Sequence, residues 1–261
     1  MYLKEEKQST KENYAIILET TSGEEKIDMA FFRVNWKNYV DALAKTASQE
    51  DWSNPTYPNN GILVNYITHT YNKLKSEKGI TVGEDFAIFN TGLFTSHYEP
   101  IYAYQTGSDI QFLTEYELSN LGIENLPERA NYFENPELLL FDWHYPINVQ
   151  YKHILEDEEN RQRLPEFVRQ SAIAESILNG VIGSSIKMVM SNYKLAVPQY
   201  YNGKIQLLLP LSFNNPDKAD LALVLTKVNN HYQAHTCITL DMAYNNARLI
   251  AKPESNWLAQ L

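Results

Sequence analysis

The alternation of apolar and polar positions along the chain predicts its elements. Residues 1–30 are polar and charged apart from one apolar run, Tyr14–Leu18, which reads as an edge strand. From Trp36 to Ala47 the spacing of Tyr39, Leu43, Ala44 and Ala47 predicts an amphipathic helix, broken by the Ser/Asn/Pro cluster of Trp52–Gly61. A second helix carries Ile62, Val64, Ile67, Tyr71 and Leu74 on its apolar face and closes at Lys78-Gly79. Asp85–Asn90 and Ile101–Tyr104 then read as a strand pair around the loop Thr91–Pro100. Two helices followed by a hairpin is the outline of a winged-helix unit; it is also the outline of a helical lid on a sheet.

The middle, Gly107–Pro165, alternates short apolar runs with acidic and proline-containing turns, and Tyr132, Phe133, Phe141, Trp143 and Tyr145 give it aromatic density. Such aromatics pack a core by default or line a pocket. Ser171–Met190 predicts a long helix with Ile173, Ile177, Val181, Ile182, Ile186 and Val189 at core spacing, weakened by Gly180 and Gly183. The C-terminal part is a meander of four strands: Leu195–Tyr201, Lys204–Leu211, Asp220–Lys227 and His231–Leu240. Between the first two, Asn202-Gly203 is the favoured pair for a two-residue type I′ turn, because both positions need positive φ. Alternation along the last strand puts His231, Gln233, His235, Cys237 and Thr239 on a polar face and Tyr232, Ala234, Thr236, Ile238 and Leu240 on an apolar one. Lys204 and Gln206 share a face of the second strand; where these polar faces coincide they form a floor for a ligand, or a face simply wetted by solvent. Thr239 then caps a final helix with Asp241 in its first turn.

These elements predict an α+β fold: a C-terminal antiparallel meander sheet flanked by helices, preceded by a helical, winged-helix-like unit. The division expected is residues 1–106 and 107–261, or one integrated domain.

Composition narrows the function classes. With 261 residues and 44% apolar content the chain supports a core without staples. Its one cysteine, Cys237, excludes an intramolecular disulfide and a multi-cysteine zinc site, and His231 with His235 lack a third ligand. Neither a metal nor another cofactor is expected. Met1–Thr10 is charged rather than apolar and no run approaches the roughly 18 apolar residues of a membrane helix, so a cytoplasmic protein without membrane contact is expected. The net charge of −10 argues against unspecific binding of nucleic acid over the whole surface. The charge is uneven: residues 171–261 carry seven Lys/Arg against five Asp/Glu, a net of +2 that leaves −12 for residues 1–170. The C-terminal half therefore has room for an anionic ligand.

Candidate chemistry follows from the same pattern. On the last helix Asp241, Asn245 and Arg248 are spaced by four and three residues and project from one side, either as a mutual hydrogen-bond network or as a frame presenting a guanidinium to phosphate. Arg129, Lys204 and Arg248 are candidate phosphate-holding cations, and His153 a candidate general acid or base, since an unperturbed histidine titrates near neutrality. Asn90, Gln199, Tyr200, Gln206, Asp241 and Asn245 are candidate ligand-binding residues, with Tyr200 or Tyr201 stacking a base. The phosphate loop, the dinucleotide fingerprint, the zinc-protease helix and the serine-nucleophile elbow are all absent as motifs.

The segments FNTGL (Phe89–Leu93), IYA (Ile101–Ala103), LPERA (Leu126–Ala130), HILED (His153–Asp157), PQYYNGKIQLLLPL (Pro198–Leu211) and TLDMAYNNARLIAKP (Thr239–Pro253) together resemble the family called domain of unknown function 3825, over about Trp52 to Leu258. The resemblance implies an RNA-related context, as family members in larger proteins resemble ones joined to cold-shock and LOTUS modules, and it transfers no catalytic residue. Two functional expectations stand. One is an RNA- or nucleotide-processing enzyme, a phosphodiesterase, nuclease or phosphotransferase, acting at a phosphate through Arg129, His153, Lys204 and Arg248 without metal. The other is a non-catalytic RNA- or nucleotide-binding module, with a protein-interaction scaffold as the plainest alternative.

Overall fold

The computed structural model describes residue 32 and residues 34–258. The expected strand at Tyr14–Leu18 lies outside the described residues. The first helical stretch starts as a 3-10 turn, Trp36–Asn38, under an Asn35 cap, and continues as α1, Val40–Thr46. The second helix, α2, runs over Gly61–Glu77 with Ile62, Leu63, Tyr66, Ile67, Thr70 and Leu74 buried. Its left-handed closing residue is Lys78 (φ 56°) rather than Gly79, and the Gly79 N–H returns to the Leu74 carbonyl at 2.8 Å.

The strands after α2 correct the winged-helix outline. β1 (Thr81–Val82), β2 (Phe86–Phe94), β3 (Pro100–Thr106) and β4 (Asp109–Thr114) form a four-stranded antiparallel sheet in chain order. The boundary expected at 106/107 falls inside the β3–β4 hairpin, where Thr106 pairs with Asp109. A capping box on Thr114 and Glu117 then opens α3, Glu115–Asn120.

The second sheet has five strands in the order β5-β9-β8-β7-β6: β5 (Ile147–Val149), β6 (Val197–Tyr201), β7 (Lys204–Leu211), β8 (Leu221–Val228) and β9 (His231–Ile238). Its antiparallel meander is β6 to β9, as the turn signals predict, and Asn202-Gly203 adopts φ of 48° and 75° between Tyr201 and its partner Lys204. β5 adds a parallel edge strand beside β9. Around the sheet lie α4 (Tyr151–Glu156), α5 (Glu158–Arg163), α6 (Glu166–Arg169), the long α7 (Ala174–Ser191) and the Thr239-capped α8 (Leu240–Ala247). No described helix is long and apolar enough to cross a membrane.

Two apolar clusters lie on opposite faces of this sheet. Leu207, Leu209, Leu223 and Leu225 alternate into one with Ile154, Val168, Leu178 and Val189 of the helices α4, α6 and α7. Val197, Leu208, Ala222 and Val224 alternate into the other, which joins α1, α2, the four-stranded sheet and Tyr244 of α8. This second cluster spans both parts of the expected division.

The alternation expected for β9 breaks at a bulge. Val224 pairs with Thr236 and Leu225 with Ala234, leaving His235 as the extra residue. One inserted residue reverses the faces, so Tyr232, Ala234 and Cys237 all enter the same cluster while His231 and Gln233 stay on the other side. Cys237 is therefore fully buried, and burial pushes its thiol up to about 12.

Candidate nucleic-acid interface

Beyond the bulge, the half of the five-stranded sheet nearest the Asn202-Gly203 turn carries two polar rows on one face. The inner row crosses all five strands. Gln199 is opposite Gln206, Thr226 opposite Gln233, and Gln233 opposite Asn148, while Gln206 reaches Thr226 by a 2.8 Å hydrogen bond from Nε2 to Oγ1. Gln199 Nε2 donates to Gln206 Oε1 at 2.9 Å, Asn246 Nδ2 of α8 to Gln199 Oε1 at 3.2 Å, and Gln233 Nε2 to the Asn148 carbonyl at 3.2 Å. The outer row places Tyr201 opposite Lys204, and Val228 opposite His231. The polar faces of Lys204, Gln206, His231 and Gln233 thus coincide. Gln199 is buried at one end, Gln206, Thr226 and Gln233 are half-buried, and Tyr201, Lys204 and Asn148 are exposed.

Tyr200, at the edge strand, meets a separate aromatic and cationic group. Its ring stands 5.0 Å from that of Tyr132 in an edge-on arrangement, and Lys73 Nζ of α2 lies 4.9 Å over Tyr132 and 5.4 Å over Tyr200. Lys73 also pairs with Glu77 at 2.5 Å. A hollow of about 280 Å³ opens here, lined by Lys73, Tyr132, Glu134, Tyr200, Lys204 and Thr226 among others.

Asn90 lies on the four-stranded sheet, beside the segment that carries Arg129. In β2 the run Asn90–Gly92 forms a bulge: Asn90 Oδ1 accepts the Gly92 N–H at 2.9 Å, and Thr91 Oγ1 donates to the Ile101 carbonyl at 2.6 Å and accepts from Leu93 N–H. Gly92 has φ of 73°, and a Cβ built on it would stand 2.6 Å from the Tyr66 hydroxyl. Asn90 Nδ2 points to the Pro127 carbonyl at 3.5 Å, which brings the 126–132 segment against the bulge. Arg129, on that segment, is exposed. Burial raises the Tyr66 phenol, and the charges of Arg248 and Arg129 act against that rise.

Arg248 is held otherwise than as an open phosphate ligand. Its Nε and Nη2 donate to the two carboxylate oxygens of Glu50 at 2.7 and 3.0 Å, and its guanidinium lies 4.7 Å from the Trp52 ring and 4.8 Å from the Tyr66 ring. Burial works to lower its pKa, but the hydrogen bond and charge of Glu50 outweigh this and the guanidinium is held firmly charged. The Tyr244 hydroxyl donates to the same carboxylate at 3.3 Å, and burial followed by the Glu50 charge pushes that phenol up to about 12. Asp241 accepts from Thr56 N–H at 3.2 Å and Thr56 Oγ1 at 2.7 Å. Asn245 is buried with its Oδ1 unbonded among the described residues. Asp241 and Arg248 are therefore tied to residues 50–56 rather than to each other, because that segment runs along the helix side that their spacing creates.

His153 stands apart. It is exposed on α4, whose Ile154 packs in the cluster on the other side of the five-stranded sheet from Arg248 and the polar rows. The expected quartet of Arg129, His153, Lys204 and Arg248 is consequently not assembled around one ligand: His153 is on the wrong face and the fork of Arg248 is occupied. What sequence reasoning missed is Glu50, Tyr66, Lys73, Thr226 and the position of Tyr132. Tyr66, Thr70 and Lys73, at four- and three-residue spacing on α2, carry the signal that was available.

No curated protein and no solved structure matches this chain. Of the segments that carry the resemblance, FNTGL and TLDMAYNNARLIAKP meet at Tyr66 through Gly92 and Arg248, and LPERA lies against FNTGL through the Pro127 carbonyl and Asn90. The family model described as "Domain of unknown function (DUF3825)" matches residues 43–257, and the chain belongs to that family.

Proposed function

We propose that this protein binds single-stranded RNA or a nucleotide across the open half of its five-stranded sheet, without chemistry at that site. The observation that carries the reading is the coincidence of the two polar rows beside an aromatic and cationic edge. Tyr201, 51% exposed, offers a ring for stacking next to Lys204, which answers a phosphate. The amides of Gln206, Gln233 and Asn148 offer donors and acceptors to base edges. An overall charge of −10 is compatible with this, since a limited cationic patch suffices for a short ligand.

The test is fluorescence anisotropy with labelled single-stranded oligoribonucleotides and with mononucleotides across a salt series. Tyr201→Ala removes a stacking partner and weakens binding by about 1–3 kcal/mol. Lys204→Ala flattens the dependence of log affinity on log salt by about 0.7, the increment for one single-strand phosphate. Affinity that ignores both substitutions, or binding without salt dependence, sinks the proposal. Conversion of the ligand that is lost in His153→Ala would restore the processing reading in its place.

A further inference from the structure

We infer that the outward side of α7 is a self-association surface, and that two copies of this chain pair there, helix against antiparallel helix, about a two-fold axis at Gly180. The inference does not rest on the RNA proposal. α7 packs in the cluster on the other side of the five-stranded sheet from the polar rows, so the pairing leaves both floors open.

The helix buries one side and leaves the other almost bare. Leu178, Ile182, Ser185 and Val189 face the core, while Ser176, Gly180, Ser184 and Lys187 recur three or four residues apart on the exposed side. A Cβ built on Gly180 or Gly183 meets no described atom within 4 Å, so a second backbone has room to approach closely. Beside this stripe, between α7 and the loop after β7, opens a hollow of about 470 Å³ whose lining, among the described residues, is uncharged throughout. Ser185, 2% exposed, and Ser212 both line it with hydroxyls that have no hydrogen-bond partner among the described residues. Buried hydroxyls are ordinarily paired, so this is a wall that the chain's own atoms leave unfinished.

The order of residues about Gly180 identifies the occupant as a second copy. In an antiparallel pair with its axis there, residues equally far before and after Gly180 meet across the seam. Ser176 of one copy meets Ser184 of the other, whose hydroxyl already donates to the Gly180 carbonyl at 3.1 Å and so is free to accept. Ile177 meets Gly183, a branched side chain over a position that has none. The stripe therefore interlocks with its own image. The charges agree as well. α7 carries Glu175 and Lys187 as its charged residues, five before and seven after the centre, so each acid lies about 3 Å along the axis from the other copy's lysine. A net charge of −10 makes most self-contacts repulsive, whereas this one sets opposite charges side by side.

Sedimentation equilibrium of the full chain over a concentration series tests the pairing. In the natural protein the mean mass climbs from one chain toward two. Gly180→Leu has open space around it in the single chain and favours the helix, so it keeps its thermal midpoint while association weakens by at least about 100-fold. Lys187→Glu sets acid against acid and weakens association by about tenfold, and the exchange of Glu175→Lys together with Lys187→Glu recovers it. Disulfide trapping locates the axis. Cys237 is the chain's one cysteine and is fully buried, so an introduced thiol reports alone. With oxidised glutathione, Gly180→Cys locks into a covalent dimer. Ile173→Cys, at a position 63% exposed, does not: the two copies of residue 173 stand about 21 Å apart along the axis, beyond the roughly 7 Å that a disulfide spans between Cα atoms. A natural protein that stays at one chain at every concentration overturns the inference, as does a Gly180→Leu variant that associates like it. Trapping at position 173 in place of position 180 overturns the two-fold placement.

Discussion

Removing the Glu50 carboxylate is the sharpest probe of how the C-terminal helix is anchored. The pair it forms with Arg248 is 198 residues apart in sequence, with side chains only 7% and 10% exposed. Two charges at roughly 4 Å in a medium of effective dielectric about 20 attract by about 4 kcal/mol. Glu50→Ala removes that attraction and leaves a guanidinium in a site where water does not replace it, so the expected loss of stability is about 4 kcal/mol, within the range of about 3–5 kcal/mol for a broken buried pair. The Trp52 and Tyr66 faces remain and soften the loss without cancelling it. Arg248→Met costs a similar amount by stranding the carboxylate, whose remaining side-chain donor is the Tyr244 hydroxyl. The double substitution Glu50→Leu with Arg248→Met removes both charges and costs far less than the two singles together. Urea unfolding followed by tryptophan fluorescence measures all three, and Trp52 reports directly because the guanidinium lies on its ring. Single losses below about 1 kcal/mol, or additivity within about 0.5 kcal/mol, would refute the anchor. Arg248→Lys does not rescue, since an ammonium cannot span both carboxylate oxygens.

Two further outcomes are expected. Gly92→Ala destabilises by about 2–3 kcal/mol, from the left-handed backbone and from the Tyr66 hydroxyl 2.6 Å away; in a Tyr66→Phe background the contact part disappears and about 1 kcal/mol remains, measurable as a double-mutant cycle. At alkaline pH the buried phenols set the limit. Tyr66, Tyr132 and Tyr244 are all raised by burial, Tyr244 to about 12, so each favours the folded state while protonated, and that stability is complete below pH 10 and drains away as pH rises from 10 through 12. Absorbance at tyrosinate wavelengths should show these groups ionising together with loss of ellipticity; their titration in a still-folded protein near pH 10 would contradict the burial argument.

Much of the architecture was legible because local chemistry dictated it. Asn202-Gly203 made a turn with positive φ at both positions, Thr239 capped α8 by accepting the Met242 N–H at 3.3 Å, and the long apolar stripe gave α7 within three residues at its start. The floor was legible too, through Lys204 and Gln206 on one strand and His231 and Gln233 on another. Cys237 was placed on the wrong face because a bulge is a fault in counting: His235 is added to one strand only, and nothing in its side chain announces that it pairs with no residue. Nor could spacing expose Glu50. Its partner is fixed by tertiary packing, and a glutamate at the end of a polar stretch reads as a solvated charge until the chain folds back on it. Tyr66 and Thr70 were passed over because the apolar face was drawn through Ile62, Val64, Ile67, Tyr71 and Leu74, whereas both are buried beside it.

The anchor and the floor are parts of one construction, because α8 holds both. Arg248 and Asn246 are two residues apart, about 200° around a helix, so the first turns toward Glu50 and Trp52 while the second turns toward Gln199. Gln199 is 1% exposed and begins the row that continues through Gln206 to Thr226, at the wall of the hollow. Loosening the helix on its Glu50 side therefore frees Asn246 on the other, and the inner row loses the donor that fixes its first amide. A protein weakened at Glu50 should for that reason bind its ligand less well even where it remains folded, whereas Asn246→Ala should impair binding with a much smaller loss of stability, about 1 kcal/mol. If Asn246→Ala leaves affinity unchanged while Gln206→Ala lowers it, the row acts locally at the floor and the helix serves only to hold the fold together.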